Sequence, residues 1–134
     1  MSGYKYIETM IARYIAGKYR SVIEVGTGSN TTAAELLSRA GIAVLCTDLS
    51  VPDGLLLVRY QADDICNPNE SLYLGAECIY AIRPIEEMMG SLIRVAKKTR
   101  SDLIIYHLGF EGYSHPHRII ECGITLFHYV THQN

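Results

Sequence analysis

The sequence predicts an α/β fold with a mostly parallel sheet that ends in an antiparallel hairpin. Short apolar runs alternate with helical patterns, as expected for strands joined by crossovers and covered on both faces. A glycine turn, Gly26-Thr27-Gly28, separates the first such run from the helix pattern behind it. Near the end of the chain, Cys122-Gly123 lies between two apolar segments and predicts a hairpin with a two-residue loop.

Each element has its own signal. Helices are indicated by apolar residues at three- and four-residue spacing, ended by Gly17 and Gly41 or preceded by Pro84. Strands are indicated by short runs of apolar and β-branched residues. The predicted helices are residues 6–18, 32–40 and 85–99, and the predicted strands are residues 21–25, 42–47, 55–60, 77–82, 102–107, 118–121 and 124–130.

Length, composition and charge narrow the class of protein. The 134 residues suit a single domain spanning residues 1–134, and an apolar fraction of 49% is enough for a folded core. The net charge of −2 gives no general attraction to nucleic acid, although a local basic patch stays compatible with it. No apolar run approaches the roughly 18 residues of a membrane span, so no membrane association is expected.

The cysteines and histidines predict neither disulfides nor a metal site. The four cysteines are widely spaced and form no C-x-x-C pair, which favours free thiols and a cytoplasmic location. His115-Pro116-His117, even with His107, matches no recognised metal site and is expected to form a surface loop. We therefore expect no metal.

The first strand, the glycine turn and the following helix start are in the order that a nucleotide-type ligand needs. Glycines let a ligand approach the backbone, and the helix N-terminus behind them offers free N–H groups. Asp48 lies 20 residues after Gly28, at the end of the second strand, where an acid can accept hydrogen bonds from both ribose hydroxyls. The alternative is that Gly26 and Gly28 only make a tight turn, without a ligand.

The segment Glu24-Val25-Gly26-Thr27-Gly28 resembles the first motif, [D/E]-x-G-x-G, of the Rossmann-like S-adenosylmethionine (SAM) methyltransferases. The resemblance implies that the glycine turn passes under the methionine part of SAM and that Glu24 helps to anchor its ammonium end. The third glycine common in those enzymes is Asn30 here. The cofactor-binding candidates are Glu24, Gly26, Thr27, Gly28, Ser29, Asp48, Asp64 and Ile65.

The same resemblance extends to the later loops and to the closing hairpin. Asp64 and Ile65 follow the third strand, where methyltransferases often bind the adenine amino group and pack on its ring. A polar turn is the alternative there. Together with D-D-I-C-N-P-N and Y-A-I-R-P, the compact chain is similar to a small uncharacterised archaeal protein family with a methyltransferase-like fold. That family has no established reaction.

Candidates for a catalytic role lie at the ends of the fourth and fifth strands. Arg83 can bind a carboxylate or phosphate, or it can cap the strand and pair with Glu86 or Glu87. His107 and Glu111 follow the fifth strand, and either can act as a general base if an acceptor needs one.

The segments between strands two and three and between strands three and four are too short for a full helix, so the fold is expected to be abbreviated in covering helices. An exposed sheet face then needs the N-terminal helix or a partner to cover it, and a homo-oligomer is one such partner. Function therefore has three readings: a SAM-dependent methyltransferase, a non-catalytic methyltransferase-like binding module, and an NAD-dependent oxidoreductase. Thr31 at the last position of the dinucleotide motif disfavours the third reading.

Overall fold

A computed structural model describes residues 5–108 and 115–132 of the chain. It contains one seven-stranded sheet with the strand order β3-β2-β1-β4-β5-β7-β6. The strands are β1 (Ser21–Val25), β2 (Ala43–Asp48), β3 (Arg59–Ala62), β4 (Cys78–Ile82), β5 (Asp102–Tyr106), β6 (Arg118–Glu121) and β7 (Thr125–Val130). The helices are α1 (Tyr6–Ala16), α2 (Thr32–Arg39) and α3 (Glu86–Thr99).

The first five strands are parallel, and the C-terminal pair is antiparallel. Strand β1 pairs with β2 on one side and with β4 on the other, with Ile23 opposite Leu45 and Ile79. Strand β7 runs antiparallel to both β5 and β6. The predicted fold class, with β1 central and the last strand antiparallel to its neighbours, is therefore confirmed.

Each face of the sheet packs against a different set of helices. Side chains that alternate along a strand point to opposite faces, so Val22 packs under α1 and α2 while Ile23 packs under α3. The first face buries Ile11, Ile15 and Leu37. The strands that are covered on both sides read as continuous apolar runs, as parallel strands do.

Two predicted elements differ from the structure. Strand β3 begins at Arg59 rather than at Leu55, because its ladder with β2 starts where Leu45 lies opposite Arg59. Leu55 is 89% exposed and lies outside the sheet, so the apolar run that predicted a strand there was misleading. The hairpin loop has three residues rather than two, since Glu121 pairs directly with Thr125.

The covering layer is short, as the sequence predicts. Among the described residues no helix joins β2 to β3, and only a 3₁₀ turn at Glu70–Leu72 lies between β3 and β4. Leu49, Leu55, Leu57 and Leu74 are accordingly exposed. All four cysteines are free thiols, and Cys46 and Cys78 are buried.

In residues 5–108 and 115–132, every helix is too short or too polar to cross a membrane.

Candidate functional site

The carboxyl ends of β1 to β4 meet at one edge of the sheet and surround a cavity of about 380 Å³. This position is where open α/β sheets bind ligands, and the volume lies within the roughly 300–1,000 Å³ of small-molecule sites. The loops after four different strands supply its walls, whose residues include Gly26, Asp48, Asp64, Ile65, Arg83 and Met88.

The glycine turn lies on the floor of this edge and needs its glycines. Gly26 and Gly28 have φ angles of +75° and +61°, a region that side chains with a Cβ rarely adopt. The Gly26 N–H donates to the carbonyl of Thr47 at 2.8 Å, which ties the turn to β2. A Cβ at Gly28 would meet only the Asp48 carboxylate, at 3.9 Å, so the space beside Gly28 is open.

Asp48 ends β2 and faces the glycine turn. Its Oδ2 atom accepts the Gly28 N–H at 2.8 Å, and its Oδ1 atom accepts the Leu49 N–H at 2.7 Å. Each carboxylate oxygen has two lone pairs, so one remains on each for the hydroxyls of a ligand. The backbone bonds fix the carboxylate in place beside the cavity, which it lines.

Glu24 is buried on the opposite side of β1 from the cavity, under α1 and α2, and is 2% exposed. Its Oε1 atom accepts the Tyr80 hydroxyl at 2.7 Å. Burial raises the pKa of Glu24 to about 7, and the bond from Tyr80 opposes that rise. Glu24 is not among the described residues that line the cavity, so any effect on a ligand there passes through the turn.

The remaining residues of the turn also differ in exposure. Thr27 is buried and donates its hydroxyl to the Glu24 carbonyl at 3.3 Å, whereas Ser29 is exposed. Neither side chain lines the cavity in the part of the chain that the structure describes. Tyr60 of β3 donates its hydroxyl to the Gly28 carbonyl at 2.9 Å and so supports the turn from the neighbouring side.

Asp64 and Ile65 follow β3 and line the cavity. The Asp64 carboxylate accepts the Cys66 N–H at 2.9 Å, which is the side-chain turn that the sequence offered as an alternative. Asp64 is nevertheless exposed at the cavity, and Ile65 is buried beside it. The turn geometry and a ligand-binding position are thus compatible at this pair.

The three catalytic candidates have different positions. Arg83 lines the cavity, with a φ of +54° that is unusual for a residue with a Cβ, and its guanidinium lies 5.3 Å from the centre of the Tyr106 ring. Its ion pair is with Glu8 rather than with Glu86 or Glu87. His107 is buried next to Tyr129 (2.6 Å) and is not among the described residues that line the cavity. Glu111 lies outside the described residues.

Burial lowers the pKa of His107 to about 4, with a further contribution from His117. A histidine with this pKa is neutral near pH 7 and is a weak general base. In the described ranges, with 109–114 outside them, no three His, Cys, Asp or Glu side chains are grouped as a metal site requires.

Glu8 is the residue at this edge that the sequence analysis missed. It belongs to α1, is 2% exposed, and reaches both Asn30, two residues after the glycine turn (3.0 Å), and Arg83 (3.9 Å). The available signal was an acid on the otherwise apolar face formed by Ile7, Ile11 and Ile15. Only the packing of α1 over β1 shows which loop that acid meets.

A model of an uncharacterised protein family, UPF0146, matches residues 6–116 of the chain. A UPF0146 protein of Archaeoglobus fulgidus is 41% identical over 99 residues, covering 71% of this chain and 74% of that protein. A UPF0146 protein of Pyrococcus abyssi is 38% identical over 97 residues, covering 67% and 73%.

Solved structures with a similar fold are methyltransferases of low sequence identity. The magnesium protoporphyrin IX methyltransferase ChlM of Synechocystis PCC 6803, with bound SAM, superposes with a TM-score of 0.58 at 14% identity, covering 94% of this chain and 78% of that chain. An S-adenosyl-L-methionine methyl transferase of Silicibacter pomeroyi gives 0.55 at 13% identity, covering 92% and 88%. At these identities the similarity establishes a methyltransferase-like fold.

Proposed function

The chain belongs to the uncharacterised protein family UPF0146, and from its methyltransferase-like fold and the cavity at the carboxyl edge of its sheet we propose that it is a SAM-dependent methyltransferase. The observation that carries the proposal is the meeting of the glycine turn, Asp48 and the Asp64-Ile65 pair around one cavity. These residues come from three separate loops. Asp64 and Ile65, Asp48, and the glycine turn follow one another in the order of the adenine, the ribose and the amino-acid tail of SAM.

The residues present suit such a ligand. The remaining lone pairs of the Asp48 carboxylate serve the ribose hydroxyls, and Asp64 and Ile65 offer an acceptor and an apolar surface for adenine. The open space beside Gly28 lets the ligand chain pass close to the backbone, where a side chain would intrude. Glu24 and Thr27 belong to the proposed site as supports of the turn, and the exposed Ser29 belongs to it as the residue that follows Gly28.

Bound SAM supplies a methyl group on a sulfonium sulfur, and the protein has to align it with an acceptor and keep water out. No strong base is needed for that step, so the buried and weakly basic His107 does not argue against it. Arg83 and Met88 line the β4 side of the cavity, and we place the acceptor on that side.

Calorimetry with SAM, S-adenosylhomocysteine (SAH) and NAD tests the cofactor. We expect SAM and SAH to bind and NAD not to bind. Asp48→Ala should weaken SAH binding by about 1.5–3 kcal/mol, the usual value of hydrogen bonds to a charged acceptor. Absence of SAM and SAH binding at millimolar concentration would overturn the proposal, and tight binding of NAD would favour the oxidoreductase alternative.

Two glycines with positive φ provide a matched control for the turn. Gly28→Ala and Gly41→Ala both place an alanine in a left-handed conformation with no atom closer than ordinary contact. Each should therefore lower the free energy of unfolding by about 1–2 kcal/mol. Only Gly28→Ala should abolish SAH binding, because its added methyl group faces the ligand. Equal SAH affinity in the two variants would remove Gly28 from the site.

A non-catalytic SAM-binding module is the second candidate, and the abbreviated covering layer favours it. Without a helix between β2 and β3, little of the described chain is available to enclose an acceptor. Incubation with methyl-labelled SAM and an Archaeoglobus fulgidus cell extract separates the two candidates. If the protein is a methyltransferase, the unmodified protein transfers label to a component of the extract and the Gly28→Ala variant does not. If it is a binding module, the unmodified protein binds SAM and transfers no label.

A further inference from the structure

Glu8 carries a buried carboxylate that the chain satisfies only in part. The residue is 2% exposed, and its Oε2 atom accepts a hydrogen bond from the Asn30 side-chain amide at 3.0 Å. Its Oε1 atom is closed to solvent and has no hydrogen-bond partner in residues 5–108 and 115–132. A buried charged oxygen without a partner is costly, so its position invites a donor from outside the chain.

Arg83 faces the same carboxylate without satisfying it. One of its guanidinium nitrogens lies 3.9 Å from Glu8 Oε2, beyond the roughly 2.7–2.9 Å of a charge-assisted hydrogen bond. The side chain is 40% exposed, lines the cavity and lies over the Tyr106 ring. Its backbone is held at a φ of +54°, a conformation that clusters at ligand-binding sites. The guanidinium therefore keeps donors available at the wall of the cavity.

The place of this pair in the fold fits one end of the proposed ligand. Asn30 connects Glu8 directly to the loop of the glycine turn, and Arg83 directly follows β4, the strand beside β1. An acid and a guanidinium at one site match a group that carries an ammonium and a carboxylate on the same carbon. Glu8 is buried and bonded to Asn30 before binding, which reduces the ordering cost of a ligand that meets it.

We propose that Glu8 and Arg83 bind the amino-acid end of the cofactor, with the Glu8 carboxylate accepting from the ammonium and the Arg83 guanidinium donating to the carboxylate. The inference rests on the proposed function and assigns to this end two residues outside the glycine motif. Contact with Glu8 Oε1 requires that atom to turn toward the loop, a rotation about side-chain bonds that leaves the α1 backbone in place. The negative charge of Glu8, which also helps to raise the pKa of Glu24, favours a cationic group at this place.

Two ligands that share the nucleoside but differ in the tail test the assignment. SAH carries the amino-acid end, and 5′-methylthioadenosine lacks it. Glu8→Gln and Arg83→Met should each weaken SAH binding roughly tenfold or more, as expected for the loss of a charged hydrogen bond. Both variants should bind 5′-methylthioadenosine within about threefold of the unmodified protein, because the residues proposed to bind the nucleoside, Asp48, Asp64 and Ile65, are unchanged. Glu70→Gln, which removes an acid from the exposed pair with Lys98, is the control and should alter neither affinity.

The ratio of the two affinities separates a role in binding from damage to the fold. A variant that merely loosens α1 or the turn would weaken both ligands together, and that result would overturn the assignment. Unchanged SAH affinity in both variants would overturn it as well, while the proposed function would stand. If the unmodified protein binds 5′-methylthioadenosine but gains nothing from the amino-acid end of SAH, the assignment fails in the same way. Failure of the unmodified protein to bind either ligand would overturn both proposals.

Discussion

Glu24 matches the acid of the sequence motif, but its position and its pKa are set by its burial. The sequence places an acid two positions before Gly26, and the structure buries that acid against Tyr80 rather than in the cavity wall. Its elevated pKa of about 7 means that ionisation in the folded protein is opposed by desolvation. The pKa of Glu24 also depends on its neighbours, since Glu8 raises it and the hydrogen bond from Tyr80 lowers it.

The pH dependence of stability tests this environment. The folded-state pKa of Glu24 is raised above the unfolded value of about 4.3. The stability that Glu24 contributes is thus fully present below about pH 4.3 and is lost as the pH rises through about 7. Glu24→Gln does not ionise, so the free energy of unfolding of the variant should rise relative to that of the unmodified protein between pH 5 and pH 8.

Urea unfolding at four pH values in that range measures the difference, whose slope is at most about 1.4 kcal/mol per pH unit for one proton. An effect of the substitution that does not depend on pH shifts the free energy of unfolding equally at every pH, so it leaves this slope unchanged. Glu87→Gln, in the exposed first turn of α3, is the control for the loss of one acid. Parallel curves for Glu24→Gln and the unmodified protein would contradict a raised pKa.

At the scale of elements, the segment before β3 shows that an apolar run need not belong to the sheet. Leu55 and Leu57 belong to an apolar run, but they are 89% and 63% exposed, ahead of the strand. Pairing with β2 begins only at Arg59, and residues 55–58 have no sheet partner among the described strands. A run of leucines predicts a strand only if a neighbour and a covering layer exist for it.

Two leucine substitutions test this boundary. Leu55→Ser should change the free energy of unfolding by less than about 0.5 kcal/mol, since the side chain is already in water. Leu103→Ala, in β5 and fully buried under α3, should cost about 2–5 kcal/mol. Chemical denaturation of the two variants measures both values. A loss above about 2 kcal/mol for Leu55→Ser would mean that residues 55–58 are packed in solution.

At the scale of the whole molecule, buried polar groups lie at both edges of the sheet. The edge with the cavity holds the buried Glu8 and Glu24 and the half-buried Asp48. The opposite edge holds Asp102, which accepts the Tyr19 hydroxyl at 2.5 Å and the His132 N–H at 2.6 Å. His128 of β7 packs beside Asp102, with 3.2 Å between Nε2 and Oδ2, and so joins the C-terminal hairpin to β5.

Burial of histidines should make the molecule sensitive to acid. Desolvation lowers the pKa of His128 in spite of the opposing effect of Asp102, and it lowers the pKa of His107 to about 4. Because the unfolded chain binds these protons near pH 6.5, stability is fully present above about pH 6.5 and is lost as the pH falls toward 4. Glu24 acts in the opposite direction over the same range, so the histidine effect is clearest in the Glu24→Gln background.

In that background, His107→Asn should lower the unfolding free energy at pH 7, through the loss of its bond to Tyr129, and by less at pH 4. The difference between the two proteins should shrink by at most about 1.4 kcal/mol per pH unit. Urea unfolding from pH 7 to pH 4 measures it. A difference that stays constant or grows as the pH falls would show that His107 is protonated in the folded protein.

The sequence alone determined the order of the elements and the edge of the sheet at which the cavity lies. Local patterns carry that information: alternating periodicity sets strands and helices, and Gly26, Gly28 and Asp48 need only their spacing along the chain to meet at neighbouring strand ends. The predicted fold is confirmed for this reason. The pairing of Asp64 with Ile65 at the cavity followed from the same rule, that parallel strands end at one edge.

Only the tertiary structure decided which side chains face that edge and which are buried behind it. It turned Glu24 away from the cavity, held Arg83 at a positive φ, and brought Glu8 from a helix 22 residues earlier in the chain to Asn30. It also ended the pairing of β3 at Arg59 and left Leu55 in water. These outcomes depend on contacts between distant segments, whose geometry is set by the packing of α1 and α2 on the sheet rather than by local preference.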